Sequence, residues 1–386
     1  MSDPFKLPSA SISRLRTARQ QLGISLIETM VGLTLGLLVT FVVTQVWGSF
    51  EGQKQRTISS SSAQVNGVLA FTELEQDLRN AGAGLTDSAA FDCVNTYSYY
   101  ESGGTSISPI PAYAGNGGMV PVQITDGGTG NDTLTIKRSA DLLGAIPARI
   151  TQTMPSSSSE LNLSSTTGFA DGDIVLAIDA ATGNCSVMLI TQVQGAALKL
   201  QHNPGNTTTY NPTVSFQSTN GWPAYTSGAK LVKVGQVISH VFSVSPTNQL
   251  TLTDLSIPLA STTSTLTADI VNLQAQYGIA DVGSQDVNAW VAATAATGWN
   301  VLDKAKIKRI KAVRIVVVAR SAKREGTDVT LPCTNAAGVV VNANGPCVWP
   351  DSEPVVDLSA DADWKRYRYR IYQSIIPLRN VIWAGV

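Results

Sequence analysis

The sequence predicts an α+β protein in which one long N-terminal α-helix, apolar at first and amphipathic further on, packs on a large β-rich C-terminal head. Three observations carry the prediction. The run from Ile24 to Phe50 is almost wholly apolar, and no proline interrupts the chain between Pro8 and Pro109. Beyond Gly84 helical periodicity gives way to short alternating runs separated by turn residues.

The apolar run exceeds the about 20 residues that a helix needs to cross a bilayer and is too long for the core of a secretory signal. It reads as an anchor. Its one acid, Glu28, is costly at membrane depth, about 2.5 to 3.5 kcal/mol on insertion scales, and calls for a partner. Ahead of it, Lys6, Arg14, Arg16 and Arg19 face a single acid, Asp3. This basic flank outweighs Lys54 and Arg56 beyond the span, so residues from Glu51 onward are expected in the periplasm. Trp47 and Phe50 suit the outer interface of the membrane that the helix crosses.

Without proline, the helix is expected to leave the membrane and continue to about Asn80. Two apolar stripes follow at helical spacing. Ile58, Val65 and Leu69 form a face for neighbouring helices, and Phe71, Leu74 and Leu78 form one that seats the helix on its own sheet. Gly82 and Gly84 end the helix, while Gly32, Gly36, Gly48 and Gly52 mark weak points along it. Strands are expected at Thr133 to Lys137, Ile174 to Ile178, Val187 to Val193, Val237 to Val244 and Leu250 to Leu255, with Val313 to Val318 as a buried strand. Arg366, Arg368 and Arg370 alternate with Tyr367, Tyr369 and Ile371, as on opposite faces of one strand. Ser156 to Ser159 reads as a surface loop.

Few charges and abundant Gly, Ser and Thr fit an exported β-rich head, and net charge near zero gives no global attraction to nucleic acid. The cysteines, Cys93, Cys185, Cys333 and Cys347, all lie in the exported part, which in an oxidising compartment reads as two disulfides with three possible pairings. The expected pairing is Cys333 with Cys347, closing a short loop that contains Asn344, Gly345 and Pro346, and Cys93 with Cys185.

Several motifs identify a family. Gly23-Ile24-Ser25-Leu26-Ile27-Glu28 followed by Met30-Val31-Gly32-Leu33 resembles the cleavage and N-methylation site of type IV prepilins. Asn66-Gly67-Val68-Leu69-Ala70-Phe71 through Leu74 to Asp77-Leu78-Arg79-Asn80-Ala81-Gly82 is similar to the helix exit of the PilW minor pilins, relatives of the J-type pseudopilins of type II secretion. Gly130 to Ile136, Gly172 to Leu176, Val271-Asn272-Leu273-Gln274 with Tyr277-Gly278-Ile279, Asp286-Val287 and Trp290 match in order. So do Ala312 to Ile315, Ala319 to Ser321, Tyr367 to Arg370 and Ile376 to Asn380. The family often has Arg where Val68 stands, and a Cys sooner after the Ala-Gly than Cys93.

The resemblance implies a type IV pilin-like fold with a leader (1–23), a transmembrane helix (24–50), an amphipathic stalk (51–84) and a head (85–386). It implies cleavage between Gly23 and Ile24 by the prepilin peptidase and N-methylation of Ile24, leaving a new amine that pairs with Glu28 of a neighbour. Loss of the leader removes four basic and one acidic residue and takes the net charge from −1 to −4. The implied partners are other minor pilins, the major pilin and a tip adhesin, and the implied role is priming of fibre assembly. The chain would reside in the inner membrane first and at the pilus tip afterwards. Alternatives are a J-type pseudopilin of a secretion system and, from another class, a membrane-tethered periplasmic binding protein or hydrolase whose leader stays attached.

No catalytic constellation stands out: there is no GxSxG elbow, HExxH or phosphate-cradling glycine loop, and no cofactor or metal is expected. His202, in a turn, reads as a surface residue and His240, in a strand, as a core one. Asp126, Asn131 and Asp132, or Asp361 with Asp363, offer oxygens for calcium, which turn chemistry explains equally well. Lys304, Lys306, Lys308, Arg309, Lys311 and Arg314 form the best candidate for a functional surface. They could contact DNA phosphates, or be a lysine-protected strand edge, which is the preferred account.

Overall fold

The computed structural model describes Gly23 and residues 25–85, 93–114, 119–140, 146–204, 209–349 and 356–384. The basic flank and Ile24 lie outside the described residues. The chain divides into two compact units, Met1–Thr57 and Ile58–Val386.

The expected helix is Leu26–Asn80, 55 residues without a break at Gly32, Gly36, Gly48 or Gly52. From Leu26 to Phe50 apolar residues lie on every side of its surface, with Leu26, Leu33, Phe41 and Trp47 all exposed. Its threonines are turned inward on the backbone. The hydroxyls of Thr29, Thr34, Thr40 and Thr44 donate to carbonyls of Leu26, Val31, Leu37 and Phe41 at 2.8 to 2.9 Å, which satisfies them in an apolar medium. Among the described residues this is the one helix long and apolar enough to cross a membrane.

The second unit is built on three main sheets. The first is five-stranded in the order Asn95–Tyr97, Asn184–Leu189, Ile174–Asp179, Lys230–Lys233, Ala148–Arg149, with its first pair parallel and the others antiparallel. The second runs Thr262–Ala268, Gln249–Asp254, Val237–Val244, Thr133–Ser139, Val122–Thr125. The third has four strands in the order Ala289–Val291, Ile270–Ile279, Ile310–Arg320, Tyr369–Pro377.

Their cores follow from strand alternation. In the first sheet Ile174, Leu176 and Ile178 enter one core with Ile110 and Tyr113, while Val175 and Ala177 enter another with Leu161 and Leu200. Burial of both faces explains the unbroken apolar run there. The largest core lies where the second and third sheets meet the end of the long helix: Leu74 and Leu78 pack with Ile124, Leu134, Phe242, Leu273, Val313, Ile315 and Ile376. Burying each leucine is worth about 2 kcal/mol.

The helix in this unit is seated by Ser59, Ala63, Gly67, Ala70, Leu74 and Leu78. Leu74 and Leu78 were expected; the small residues before them let the backbone come close. At Gly67 a Cβ would run into the ring of Tyr372, whose hydroxyl donates to the Gln64 carbonyl at 3.0 Å. The Lys323 N–H donates to the Ser59 hydroxyl at 3.1 Å, and Asp77 meets His240 on the second sheet at 2.5 Å. The helix ends at Gly82, whose φ of 73° suits glycine and whose N–H donates to the Lys137 carbonyl at 2.9 Å.

Two strand expectations need correction. Val187 to Val193 is not one strand: Asn184–Leu189 belongs to the first sheet and Gln192–Gln194 to a separate three-stranded one. Between them the Ile190 N–H turns to Asp173 and that of Thr191 to Gln201, so the chain changes sheets. The Arg and Tyr alternation is a strand only from Tyr369, because Trp364–Arg366 is a 3₁₀ turn closed by the Arg366 N–H on the Asp363 carbonyl at 2.8 Å.

Both expected disulfides are present, Cys93–Cys185 and Cys333–Cys347, with sequence separations of 92 and 14. The chain-entropy model assigns about 4.5 and about 3 kcal/mol to loops of these sizes. Denaturant unfolding should therefore show a larger loss of stability for Cys93→Ser with Cys185→Ser than for Cys333→Ser with Cys347→Ser. Gly67→Val, by forcing the Tyr372 ring aside, is expected to cost about 1 to 3 kcal/mol, read as a lower Tm of the head.

Candidate assembly surface

The residues expected to act in assembly begin at Gly23, which is exposed, and Glu28, which lies exposed in the first turn of the helix. An acid there is favoured by the helix dipole, and its carboxylate faces outward from an apolar shaft.

Within the second unit the helix has two different faces. Its buried stripe of Ser59, Ala63, Gly67, Ala70, Leu74 and Leu78 sits roughly opposite Ile58, Val65, Val68 and Leu69, which are 55%, 63%, 48% and 43% exposed. Phe71, expected in the seating stripe, is half-buried at its edge beside Tyr372. One side of the helix is therefore committed to the head, and an apolar stripe on the other is left to solvent.

The basic cluster is divided by the fold. Lys304–Arg309 is a short helix capped by Asp303, whose side chain accepts from the Lys306 N–H at 2.8 Å. Lys306 donates to the carbonyls of Gly298 and Val301 at 2.6 and 2.9 Å, and Arg309 donates to that of Ala280 at 2.8 Å while lying over Trp299. Lys311 and Arg314 are buried. They belong to Ile310–Arg320, an interior strand, so the strand-edge account is wrong: both neighbours of that strand are in place. Arg314 is a core residue. It donates to Gln276 Oε1 at 2.9 and 2.6 Å and lies between the rings of Trp290 and Trp349, 4.9 and 4.3 Å from their centroids.

Residues 241–380 match the PilW family model, described as Type IV Pilus-assembly protein W. The chain carries a PilW domain. No curated protein and no solved structure matches it. The match takes in the whole third sheet and Val348, Trp349, Leu358 and Trp364, which cover its outer face with Val316 and Val318. Other segments that resembled the family lie outside the matched residues yet pack on the PilW domain: Gly67 on Tyr372, and Leu74 on Val313 and Ile376 by way of the shared core.

Two of the candidate calcium ligands, Asn131 and Asp132, tie the second sheet to the third instead. Asp132 is buried and accepts from the N–H groups of Gly127 at 2.9 Å and Ala275 at 2.8 Å. Asn131 accepts from the Leu273 N–H at 3.2 Å, and Asp126 from that of Gly128 at 2.7 Å. Asp361 meets Arg320 at 2.9 Å, and Asp363 pairs with Arg324. Among the described residues no group of three or more His, Cys, Asp or Glu could hold a metal ion.

His240 is half-buried on Asp77, at the contact between helix and sheet. His202 is buried, against expectation, because Nε2 donates to the Ser159 carbonyl at 2.8 Å and folds the Ser-rich loop over it. Burial lowers its pKa. The sequence signal that was missed is the spacing of small residues before Leu74, which marks the seating face of the helix as clearly as apolar residues do.

Burial pushes the Asp132 carboxyl up to about 6, against the pull of its two backbone donors. A carboxyl raised above its unfolded value of about 3.9 contributes stability that is complete below that value and lost as pH rises through the folded one. Asp132→Asn, which offers one acceptor fewer, is expected to cost about 1 to 3 kcal/mol. The deficit against wild type should narrow between about pH 4 and pH 7, as measured by thermal melts across that range.

Proposed function

We propose that this chain is a minor pilin that is cleaved after Gly23 and N-methylated on Ile24 by the prepilin peptidase. It then joins other minor pilins to prime a type IV pilus and stays at or near the tip, beneath a tip adhesin and above the major pilin. The observation that carries this reading is the combination, in one chain, of a PilW domain with an unbroken helix whose first half is apolar on every side and holds Glu28 in its first turn.

The mechanism is assembly. Before it, the apolar half of the helix holds the chain in the inner membrane with the head in the periplasm. Processing creates a cationic amine on Ile24, four residues from Glu28. When two such helices pack side by side, the amine of one subunit neutralises the carboxylate of the next, and a group that is costly alone becomes a device for axial registration. The exposed stripe of Ile58, Val65 and Leu69 continues the apolar contact beyond the membrane segment. The head, closed around its own cores, presents lateral surfaces to neighbouring subunits.

Mass spectrometry of the N-terminal peptide from sheared filaments and from membranes tests the reading. A peptide beginning with N-methyl-Ile24 in filaments is expected; an intact leader found only in membranes would overturn it. Glu28→Val should leave membrane insertion unchanged and reduce recovery of the chain with other pilins by several-fold, and normal co-assembly of that variant would remove the role given to the carboxylate.

A further inference from the structure

The turn Asp281–Gln285 and the helix Lys304–Arg309 enclose a groove of about 580 Å³ whose walls include Val282, Ala305, Lys308, Arg309 and Lys311. Lys311 reaches it through an irregularity in the third sheet. Ile310 stands opposite Ile279 and Ala312 opposite Gly278, so Lys311 is an extra residue on its strand. Such a bulge re-aims a side chain out of the alternation of the sheet. Lys311 is only 6% exposed as a residue, and among the described residues its ammonium meets no acid or acceptor.

An ammonium recessed in a groove without a counter-charge gives up part of its hydration, and this partial burial pulls its pKa below the usual lysine value. An anion entering the groove would relieve that cost through a charge-assisted hydrogen bond. We propose that this groove binds a glutamate or aspartate carboxylate carried on an acidic, partly apolar segment of a partner protein, with Lys311 at its floor and Lys308 at its rim. The apolar part of the segment is called for by Ala305 and by Val282, which is 90% exposed. Asp281 and Asp303, also on the walls, oppose a continuous run of phosphates and leave room for isolated carboxylates, which favours a protein segment over nucleic acid. The site is separate from the long helix and does not depend on the pilin reading.

The test uses the full chain in detergent micelles and fluorescence anisotropy of a labelled peptide of alternating glutamate and leucine, beside its glutamine counterpart. Saturable binding of the glutamate peptide is expected, with the glutamine peptide at least about tenfold weaker and Lys311→Met weakening the glutamate peptide by at least about tenfold. Thermal melting establishes that Lys311→Met is folded; if it is not, Lys308→Gln decides, with a smaller loss of affinity expected and an unchanged affinity overturning the proposal. The proposal also fails if no saturable binding occurs, if the two peptides bind alike, if folded Lys311→Met binds like wild type, or if duplex DNA binds more tightly than the glutamate peptide.

Discussion

Close approach of the long helix to the third sheet is the contact on which the rest of the molecule depends. It is made by absence: Ser59, Ala63, Gly67 and Ala70 present little side chain, so the Tyr372 ring lies against the backbone at Gly67 and its hydroxyl reaches the Gln64 carbonyl. Only after this small-residue stretch do Leu74 and Leu78 enter the core as large apolar groups. The order matters. Dispersion contacts along a closely apposed backbone accumulate over several turns, while the two leucines anchor the end of the helix and set its rotation. With that rotation set, Ile58, Val65 and Leu69 are left on the outer side, available to whatever apolar surface the helix meets.

The strand that receives the helix is itself enclosed. Val313, Ile315 and Val317 face the helix core, and Val316 and Val318 face a second layer formed by Val356, Leu358 and Trp364. A strand covered on both faces has no need of alternation, which is why Ile310–Arg320 reads as a continuous apolar run. Its buried guanidinium, Arg314, is tolerated because Gln276 accepts from two of its donors and two tryptophan rings cover it. The Cys333–Cys347 bond lies in the excursion that supplies this second layer and limits its freedom in the unfolded chain. Helix, sheet and excursion thus form three layers with the PilW strand in the middle.

The first sheet is a further body of the head, with separate cores on its two faces and the Cys93–Cys185 bond within one of them. It precedes the residues matched by the family model, and its packing does not use the long helix. Its link to the second sheet is partly apolar, since Val237 enters its core, and partly polar, since the Ser139 hydroxyl donates to the Val234 carbonyl at 2.7 Å. The second sheet is tied in turn to the third by polar contacts. Asp132 and Asn131 hold the N–H groups of Ala275 and Leu273, bringing the Val122–Ser139 hairpin of the second sheet onto the third. Oxygens that in the sequence resemble a cation site are consumed by backbone donors, since each buried N–H needs an acceptor and these loops supply it.

Much of the fold was legible in the sequence, because some physical signals are local. An uninterrupted helix from Leu26 to Asn80 follows from the absence of proline, and its end from Gly82, where the backbone needs a positive φ. Strands such as Val237–Val244 follow from β-branched alternation. The prepilin-like run around Gly23 and Glu28 and the ordered PilW motifs were likewise present in the chain itself. Tertiary structure alone decided which side of the helix is buried, because glycine and alanine carry no hydrophobic signal until a partner ring arrives. It alone decided that Lys311 and Arg314 are interior while Lys304 and Lys308 are exposed, because their environment is set by strand neighbours and a bulge far away in sequence. Sequence pattern records what each residue prefers; burial depends on what the rest of the chain brings to it.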